Sequence, residues 1–398
     1  ADFKMWEDDS LISILKELKS QTILISKIQF LKLIHEKYHQ SKERLKEYPP
    51  LAINLISNPA VNLRPILTDS GKKIAGMCPV ASTKTLCCNL RTIDVVQNCA
   101  FGCSYCSIQT FYNKGQVMVE NNLKDKLDTI EIDTIEISDK KRLYHFGVGQ
   151  SSDSLLLGNY NSILDSLMNW ATKYQENIIL EFKTKSQNID YFLEKKHKSE
   201  KKENFIPKNV FISWSLNTET IIKNEEHLTS SLSDRLQAAR KILDQKLGIK
   251  VAFHFHPIVY YKNWQSEYHD VVKRLHDNFD PSEILFISLG TVTMIKPVIH
   301  EMRIRGAQGN LKSKILQMPM QKIFSRFSYP IEIKSELFTQ VYSMFEKDWR
   351  EDIFFYLCME PKECWERISF TNFNFNSNSN SNEDFEQQLC LWVKRKQL

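Results

Sequence analysis

From Thr92 onward, apolar residues come in short unbroken runs rather than at alternate positions. The runs at 92–97, 142–148, 177–183, 209–216, 249–260, 284–291 and 352–359 have the length of strands buried on both faces. Between them, helical spacing of apolar residues predicts amphipathic helices over 159–175, 187–197, 230–247, 264–278 and 335–349. Strand–helix alternation of this kind predicts an α/β parallel sheet, and its span of roughly 270 residues is in the range of a barrel of β/α units, complete or partial. The first 60 residues read differently. Leu11, Ile12, Leu15 and Leu18, then Ile28, Leu31, Ile34 and Tyr38, recur at helical spacing, and Pro49-Pro50 ends that region. Two stretches stand outside the alternation. Residues 121–141 are charged, repeat DTIEI with one change of context, and predict a solvent-exposed helix or ribbon. Residues 372–382, NFNFNSNSNSN, are low-complexity and predict a disordered linker before a short helix over 383–396.

Composition narrows the class without changing the picture. The 398 residues suffice for one large domain with extensions or for two domains. No run of 18 apolar residues occurs, so no membrane span is expected. The sequence begins ADFKMWEDDS, which has no apolar core of a signal peptide. Nine cysteines, an odd number, point to a reducing, cytoplasmic setting rather than a disulfide scaffold. The net charge of +5 is unevenly placed: Lys296, Arg303, Arg305, Lys312, Lys314, Lys322 and Arg326 face one acid, Glu301, within 296–326. Such a region suits phosphate contacts, or is the solvated face of an ordinary enzyme.

The chemistry concentrates in TIDVVQNCAFGCSYCSIQTF (92–111), where Cys99, Cys103 and Cys106 form a C-x3-C-x2-C pattern. Thiolates suit iron–sulfur clusters and zinc. Zinc sites usually present two ligand pairs, and no second C-x2-C or H-x3-5-H completes this one. Cys78, Cys87 and Cys88 are read either as a second metal site or, since they lack a paired-ligand pattern, as thiols that pack against the cluster region, which is the expected arrangement. Cys358 and Cys364 lie near the last strand, where Cys358 is placed either as a buried small thiol or as a lumen-facing hydrogen donor.

In β/α barrels reactive groups gather at the C-terminal ends of the strands. Those ends carry the three cysteines, then GVGQSSDS (147–154), Thr184-Lys185, Ser215-Leu216-Asn217, His254, His256 and Pro257, and Gly290-Thr291. A polar ring of this kind beside a cluster suits an amino-acid-like cofactor, with acceptors for its ammonium and a cation and hydroxyls for its carboxylate.

The three-cysteine spacing, with the aromatic Tyr105 before the third, resembles the radical S-adenosylmethionine (SAM) superfamily. The segments SWSLNTETIIKNEEHLTSSLSDRLQAARK (213–241), VAFHFHPIVYYKNWQSEYHDVV (251–272), ISLGT (287–291) and FFYLCMEPKECWE (354–366) resemble its spore photoproduct lyase-like branch, which includes proteins labelled DNA repair photolyases. The resemblance implies an α/β fold, a partial (β/α)6 barrel over 87–368. A mostly helical N-terminal extension (1–86) would precede it, and a low-complexity linker and C-terminal helix (369–398) would follow as a short tail. It also implies a [4Fe-4S] cluster on Cys99, Cys103 and Cys106, with SAM contacted by Tyr105, Ser151, Lys185, Ser215 and Asn217. The implied reaction is that of a lyase in DNA repair: a 5′-deoxyadenosyl radical takes hydrogen from a methylene-bridged thymine dimer. An external electron donor of flavodoxin or ferredoxin type and a nucleic-acid substrate follow from the same resemblance. His254, His256, Arg303 and Arg305 are the candidate substrate contacts, and Tyr105 is the candidate catalytic residue.

Two positions depart from the lyases. Their hydrogen-donating cysteine corresponds to Gln150 here, and the tyrosine after their third cluster cysteine corresponds to Ser107. The cluster and SAM half of the motif set is intact. The altered hydrogen-return half leaves open a radical SAM enzyme acting on a peptide or small molecule, and a non-enzymatic nucleic-acid-binding protein with a structural cluster or zinc.

Overall fold

A computed structural model describes residues 9–20, 26–42, 45–48, 62–78, 84–112, 115–130, 142–198, 206–307, 313–371 and 381–397. Its strands are β1 (Asn62–Thr68), β2 (Ala75–Met77), β3 (Arg91–Ile93), β4 (Val96–Gln97), β5 (Gln116–Glu120), β6 (Tyr144–Val148), β7 (Ile178–Thr184), β8 (Val210–Leu216), β9 (Val251–Ile258), β10 (Ile284–Thr291), β11 (Thr293–Ile295), β12 (Gln321–Ile323), β13 (Arg326–Ser328) and β14 (Phe354–Leu357). The helices are α1 (Asp9–Ser20), α2 (Lys27–Lys42), α3 (Leu123–Ile130), α4 (Ile163–Lys173), α5 (Asp190–Lys198), α6 (Glu219–Glu225), α7 (Leu232–Asp244), α8 (Trp264–Asn278), α9 (Lys296–Ala307), α10 (Ile331–Ser343), α11 (Lys347–Asp352), α12 (Lys362–Glu366) and α13 (Asn382–Gln397).

Eight strands make the central sheet in the order β14-β10-β9-β8-β7-β6-β3-β2. From β3 to β14 every neighbouring pair is parallel, and only β2 runs antiparallel, at the edge. The two edge strands do not pair, so the barrel is partial. Register sets the chemistry of its faces, because side chains alternate along a strand. Ser213 sits beside Lys183, Ser215 beside His254, and His254 beside Ser288. These residues share the inner face. The intervening Phe182, Ile212, Trp214, Phe253, Phe255, Ile287 and Leu289 are fully buried in the apolar core.

All seven apolar runs are strands, but the first is divided. Residues 92–97 were expected as one strand; instead β3 belongs to the central sheet and β4 to a second sheet ordered β1-β5-β4. The crossing is visible in the backbone: Asp94 N–H still donates to Ile74 O (2.8 Å), whereas Val95 O already accepts from Glu120 N–H (3.0 Å). The predicted helix 335–349 is likewise two helices, α10 and α11. The exposed helix or ribbon expected over 121–141 is α3 at its start, but its Leu123, Leu127 and Ile130 are buried, so one face is core rather than solvent. The rest of that stretch, 131–141, lies outside the described residues, as do Pro49-Pro50, Lys312 and residues 372–380 of the linker.

Helix α13 packs into the same core as the barrel, with Phe385, Leu389, Cys390 and Val393 fully buried. Glu386, also fully buried, accepts from His145 N–H (3.0 Å) and Asn89 Nδ2 (2.9 Å) and pairs with Arg91 and Arg142. Trp392 Nε1 donates to Leu285 O (2.8 Å), so the helix covers the N-terminal ends of β6 and β10. The opposite, C-terminal ends of the strands remain for function.

Candidate active site

The cysteine loop leaves β4 through two left-handed residues, Asn98 (φ 72°) and Gly102 (φ 64°). Asparagine tolerates that conformation because its side chain bonds locally. Here Asn98 Oδ1 accepts from Cys99 N–H (2.9 Å) and its Nδ2 donates to Gln116 O (3.1 Å). Cys106 N–H donates to Cys103 O (3.1 Å), and Ser104 N–H to Glu225 O (2.8 Å), which ties the loop to the end of α6. Cys103 is buried, and Cys99 and Cys106 are partly exposed. The three thiols interact with one another. Burial pushes Cys103 up to about 12, offset in part by the nearby Lys185 cation, and it raises Cys99 and Cys106 as well. Bare thiols here hold their protons, which a soft metal displaces on binding. Among the described residues no three of His, Cys, Asp or Glu are gathered as the ligands of a metal ion. A preformed mononuclear zinc site, with Zn–S near 2.3 Å, is therefore not present among them.

Beside the loop lies a buried ion group that the sequence did not disclose. Glu226 is 1 % exposed and accepts from Lys185 Nζ (2.6 Å), Arg235 Nη2 (2.7 Å) and Tyr105 OH. Burial alone would raise its carboxyl, but the two cations outweigh that and bring it down to about 2. Lys185 Nζ also donates to Tyr105 OH (2.8 Å) and lies 5.3 Å from the Tyr105 ring centre. Asp153 sets the lysine's backbone, accepting from Lys185 N–H (2.7 Å) and from Thr184 Oγ1 (2.8 Å). Its loop turns at Gly149 (φ 97°), where a Cβ would come within 2.6 Å of Ser154 Oγ.

Of the cofactor contacts expected from sequence, Tyr105 and Lys185 are thus joined directly. Ser151, partly exposed, bonds Asp94 and Tyr112. Asn217 is fully buried and donates through Nδ2 to Pro257 O (2.9 Å) and Glu226 (3.4 Å). Ser215 is buried, and its carbonyl accepts from Arg235 Nη1 (2.7 Å).

One candidate substrate contact, Arg305, is placed differently from the expectation. Arg305 is buried at 6 % exposure and donates to Gln109 Oε1 (2.7 Å), so it braces the short 3-10 turn Ser107–Thr110 after the cysteines rather than facing a phosphate. His254 faces the lumen, is 3 % exposed and is bonded to Glu181 and Ser288. Arg303 is exposed, and His256 is partly exposed at the lumen mouth. Gln150 Nε2 points at Cys78 Sγ (3.9 Å). Cys78, Cys87, Cys88 and Cys358 lie close enough to influence one another, and the Lys183 cation lies beside Cys358.

The model of the family described as "Spore photoproduct lyase" matches residues 88–296, more than half of the chain. The chain belongs to the spore photoproduct lyase family. It is 30% identical over 197 residues to the spore photoproduct lyase of Clostridium acetobutylicum, covering 49% of this chain and 54% of that protein. To the lyase of Bacillus subtilis it is 25% identical over 186 residues, covering 46% and 50%. The chain spans about half the length of the curated relatives it matches. A solved spore photoproduct lyase complexed with dinucleoside spore photoproduct superposes with a TM-score of 0.60 at 19% identity, over 74% of this chain and 82% of that one. A mutant of such a lyase with bound AdoMet and the same dinucleoside gives 0.59. These likenesses bear out the partial-barrel fold of this family member. The matched span 88–296 contains the cysteine loop, Lys185, Glu226, Arg235 and both lumen histidines.

Glu226, Arg235, Asp153, Glu181 and Lys183 were the residues that sequence reasoning missed. A signal existed for the last two: Glu181 and Lys183 alternate on β7, a period that puts both charges on one face.

Proposed function

We propose that this chain is a radical SAM enzyme whose Cys99, Cys103 and Cys106 hold a [4Fe-4S] cluster and whose substrate is a nucleic acid. The observation that carries this reading is the placement of one loop carrying three cysteines beside the Lys185–Glu226–Tyr105 group at the C-terminal strand ends. The donor set fits: three soft ligands on one loop leave one iron of a four-iron cluster open. When bound, the cluster and SAM supply a carbon-centred radical that takes hydrogen from substrate. Lys185 and Ser151 would hold the carboxylate of SAM and Tyr105 would flank its adenine. Ser215 and Asn217 would act from behind, Asn217 through its bond to Glu226. An external one-electron donor of flavodoxin or ferredoxin type would reduce the cluster. Anaerobic reconstitution is expected to give a brown protein that releases 5′-deoxyadenosine under reductant. A protein that takes up no iron with all three cysteines intact would refute the reading.

The nucleic-acid half rests on a second feature. The β12–β13 hairpin pairs with β11, the strand that follows the C-terminal end of β10, and displays Phe324 at its tip, in a left-handed turn (φ 55°) and 54% exposed. Lys84 lies 4.6 Å from the Phe324 ring centre. A cavity of about 510 Å³ beside it is lined by Lys84, Lys322, Arg326 and Lys334, among others. Lys334 is neutralised by Glu360 (2.6 Å). A combined K322A/R326A variant is expected to bind oligonucleotides with a salt dependence shallower by about two units of slope, since each lost phosphate contact removes about 0.9. An unchanged slope would move the nucleic acid elsewhere. The related lyase structure holding a dinucleoside spore photoproduct supports a lesion of that class as the substrate.

Hydrogen return must differ from the lyases' route, because Gln150 has no thiol. Cys78, which Gln150 contacts, and Cys358, beside Lys183, are the thiols at that place. Cys78→Ala is expected to lower repaired product per 5′-deoxyadenosine by about tenfold, roughly 1.4 kcal/mol of barrier. Cys364→Ala, which removes a thiol bonded to Glu360, serves as the control. Equal yields from the two variants would exclude Cys78.

A further inference from the structure

A hydrogen-bonded chain runs through the barrel lumen and joins a cation at its mouth to a carboxylate at its floor. Lys183 Nζ lies 3.2 Å from His256 Nδ1, and His256 Nε2 lies 3.1 Å from Ser288 Oγ. Ser288 Oγ lies 2.5 Å from His254 Nδ1, and His254 Nε2 lies 2.6 Å from Glu181 Oε1. Glu181 also accepts from Ser213 Oγ (2.5 Å) and bonds His145 Nε2 (2.8 Å).

The ends fix the direction of the bonds out to Ser288, and a neutral His254 fixes the one between Ser288 and His254. A lysine ammonium can only donate and a carboxylate can only accept. His256 Nδ1 is therefore the acceptor for Lys183, so its proton sits on Nε2 and points at Ser288. Ser288 donates in turn to His254 Nδ1, and His254 donates from Nε2 to Glu181. Both imidazoles are neutral in this arrangement. That agrees with burial and the Lys183 cation, which together hold His254 at about 4 and His256 well below its usual value. Burial would raise the Glu181 carboxyl, but its interactions with His254 and His145 outweigh that and hold it well below its usual value. Exposure falls along the chain: Lys183 and His256 are partly exposed, whereas His254, Ser288, Ser213 and Glu181 are buried. Gly290 makes the room for the His256 ring, since a Cβ there would meet it at 3.0 Å.

One Lys183 N–H is committed to His256, which leaves two for donation to whatever enters the mouth. With no acceptor on the lysine, and the His256 acceptor already used, this point can receive a carbonyl or anionic oxygen and cannot receive an amino group. We propose that Lys183 is a substrate-recognition residue that selects a keto base over an amino base, held in place by the His256–Ser288–His254–Glu181 chain. This inference rests on the nucleic-acid reading above and names the part of the base that is read.

The test needs neither cluster nor SAM. Binding of (dT)10 and (dC)10 to the full chain, followed by fluorescence anisotropy, compares a 4-carbonyl with a 4-amino group on the same backbone, so phosphate contacts cancel. The unmodified protein is expected to prefer (dT)10 by about tenfold, the worth of a charge-assisted hydrogen bond. K183M is expected to bind both equally, with K183R restoring part of the preference. The ¹⁵N spectrum of histidine-labelled protein supplies a readout that needs no variant: His254 and His256 are expected as neutral Nε2–H tautomers, with the His256 Nδ1 signal moving on addition of (dT)10. A protonated Nδ1 on His256, or a thymine preference that survives in K183M, overturns this inference alone. Failure of both oligonucleotides to bind the unmodified protein overturns it together with the nucleic-acid reading.

Discussion

Replacing Cys103 with alanine is expected to leave a folded protein that no longer assembles a four-iron cluster and forms 5′-deoxyadenosine at least about a thousandfold more slowly, some 4 kcal/mol of barrier. Cys103 is the most enclosed of the three thiols at 7% exposure, and it interacts with both Cys106 and the Lys185 cation. A cluster held by three protein ligands has none to spare. The loop itself survives the change, because its shape comes from Asn98, Gly102 and the Ser104–Glu225 bonds rather than from sulfur. Iron content and the cluster's visible absorption after anaerobic reconstitution check the first part, and product analysis the second. Full iron loading in Cys103→Ala would remove this residue from the ligand set. Cys364→Ala, set against Glu360 and Lys334, should load iron like the parent protein.

The parts of the fold legible in the sequence were those set by local pattern. Fully buried parallel strands leave continuous apolar runs, and each of the seven runs is a strand. The three-cysteine spacing was legible because its chemistry is packed into eight consecutive residues. What stayed hidden depends on register between distant segments. The division of 92–97 between two sheets turns on the pairing of Val95 with Glu120, and nothing near Val95 announces it. Glu226 reads as one of two adjacent glutamates at the end of a helix. Only the fold brings Lys185, Tyr105 and Arg235 to it from three other elements. Arg305 shows the converse error. Its place in a basic run suggested phosphate contact, yet the helix periodicity of α9 turns it inward to Gln109 while Arg303 stays outside. Charge counted along a chain says which segment is basic, and periodicity decides which of its charges meet solvent.

Substituting Glu226 by leucine is expected to destabilise the protein by roughly 3–5 kcal/mol, the usual cost of leaving buried partner charges unmatched. Arg235 is fully buried and Lys185 is 17% exposed, and without the carboxylate they would face each other across the same space. The Arg235 side chain has fixed partners in Ser215 O, Ser230 O and Thr229 Oγ1, so it cannot swing to solvent without stripping those bonds. An E226L/R235M double variant should recover part of the loss, because both charges of the tightest pair then go together. Acid supplies an independent check. Glu226 is held down to about 2 in the folded protein, below the value of about 4.3 for an unfolded chain. A depressed carboxyl stabilises the fold above the unfolded value, and that stability drains away as pH falls from about 4.3 toward about 2. The full shift is worth about 3 kcal/mol. Urea unfolding of the parent protein should therefore steepen in its pH dependence below about pH 4, and Glu226→Gln should flatten that slope while starting from lower stability at pH 7. If Glu226→Gln matched the parent at pH 7 and kept the same acid slope, the carboxylate would not be the counter-charge that holds Lys185 at the cluster loop.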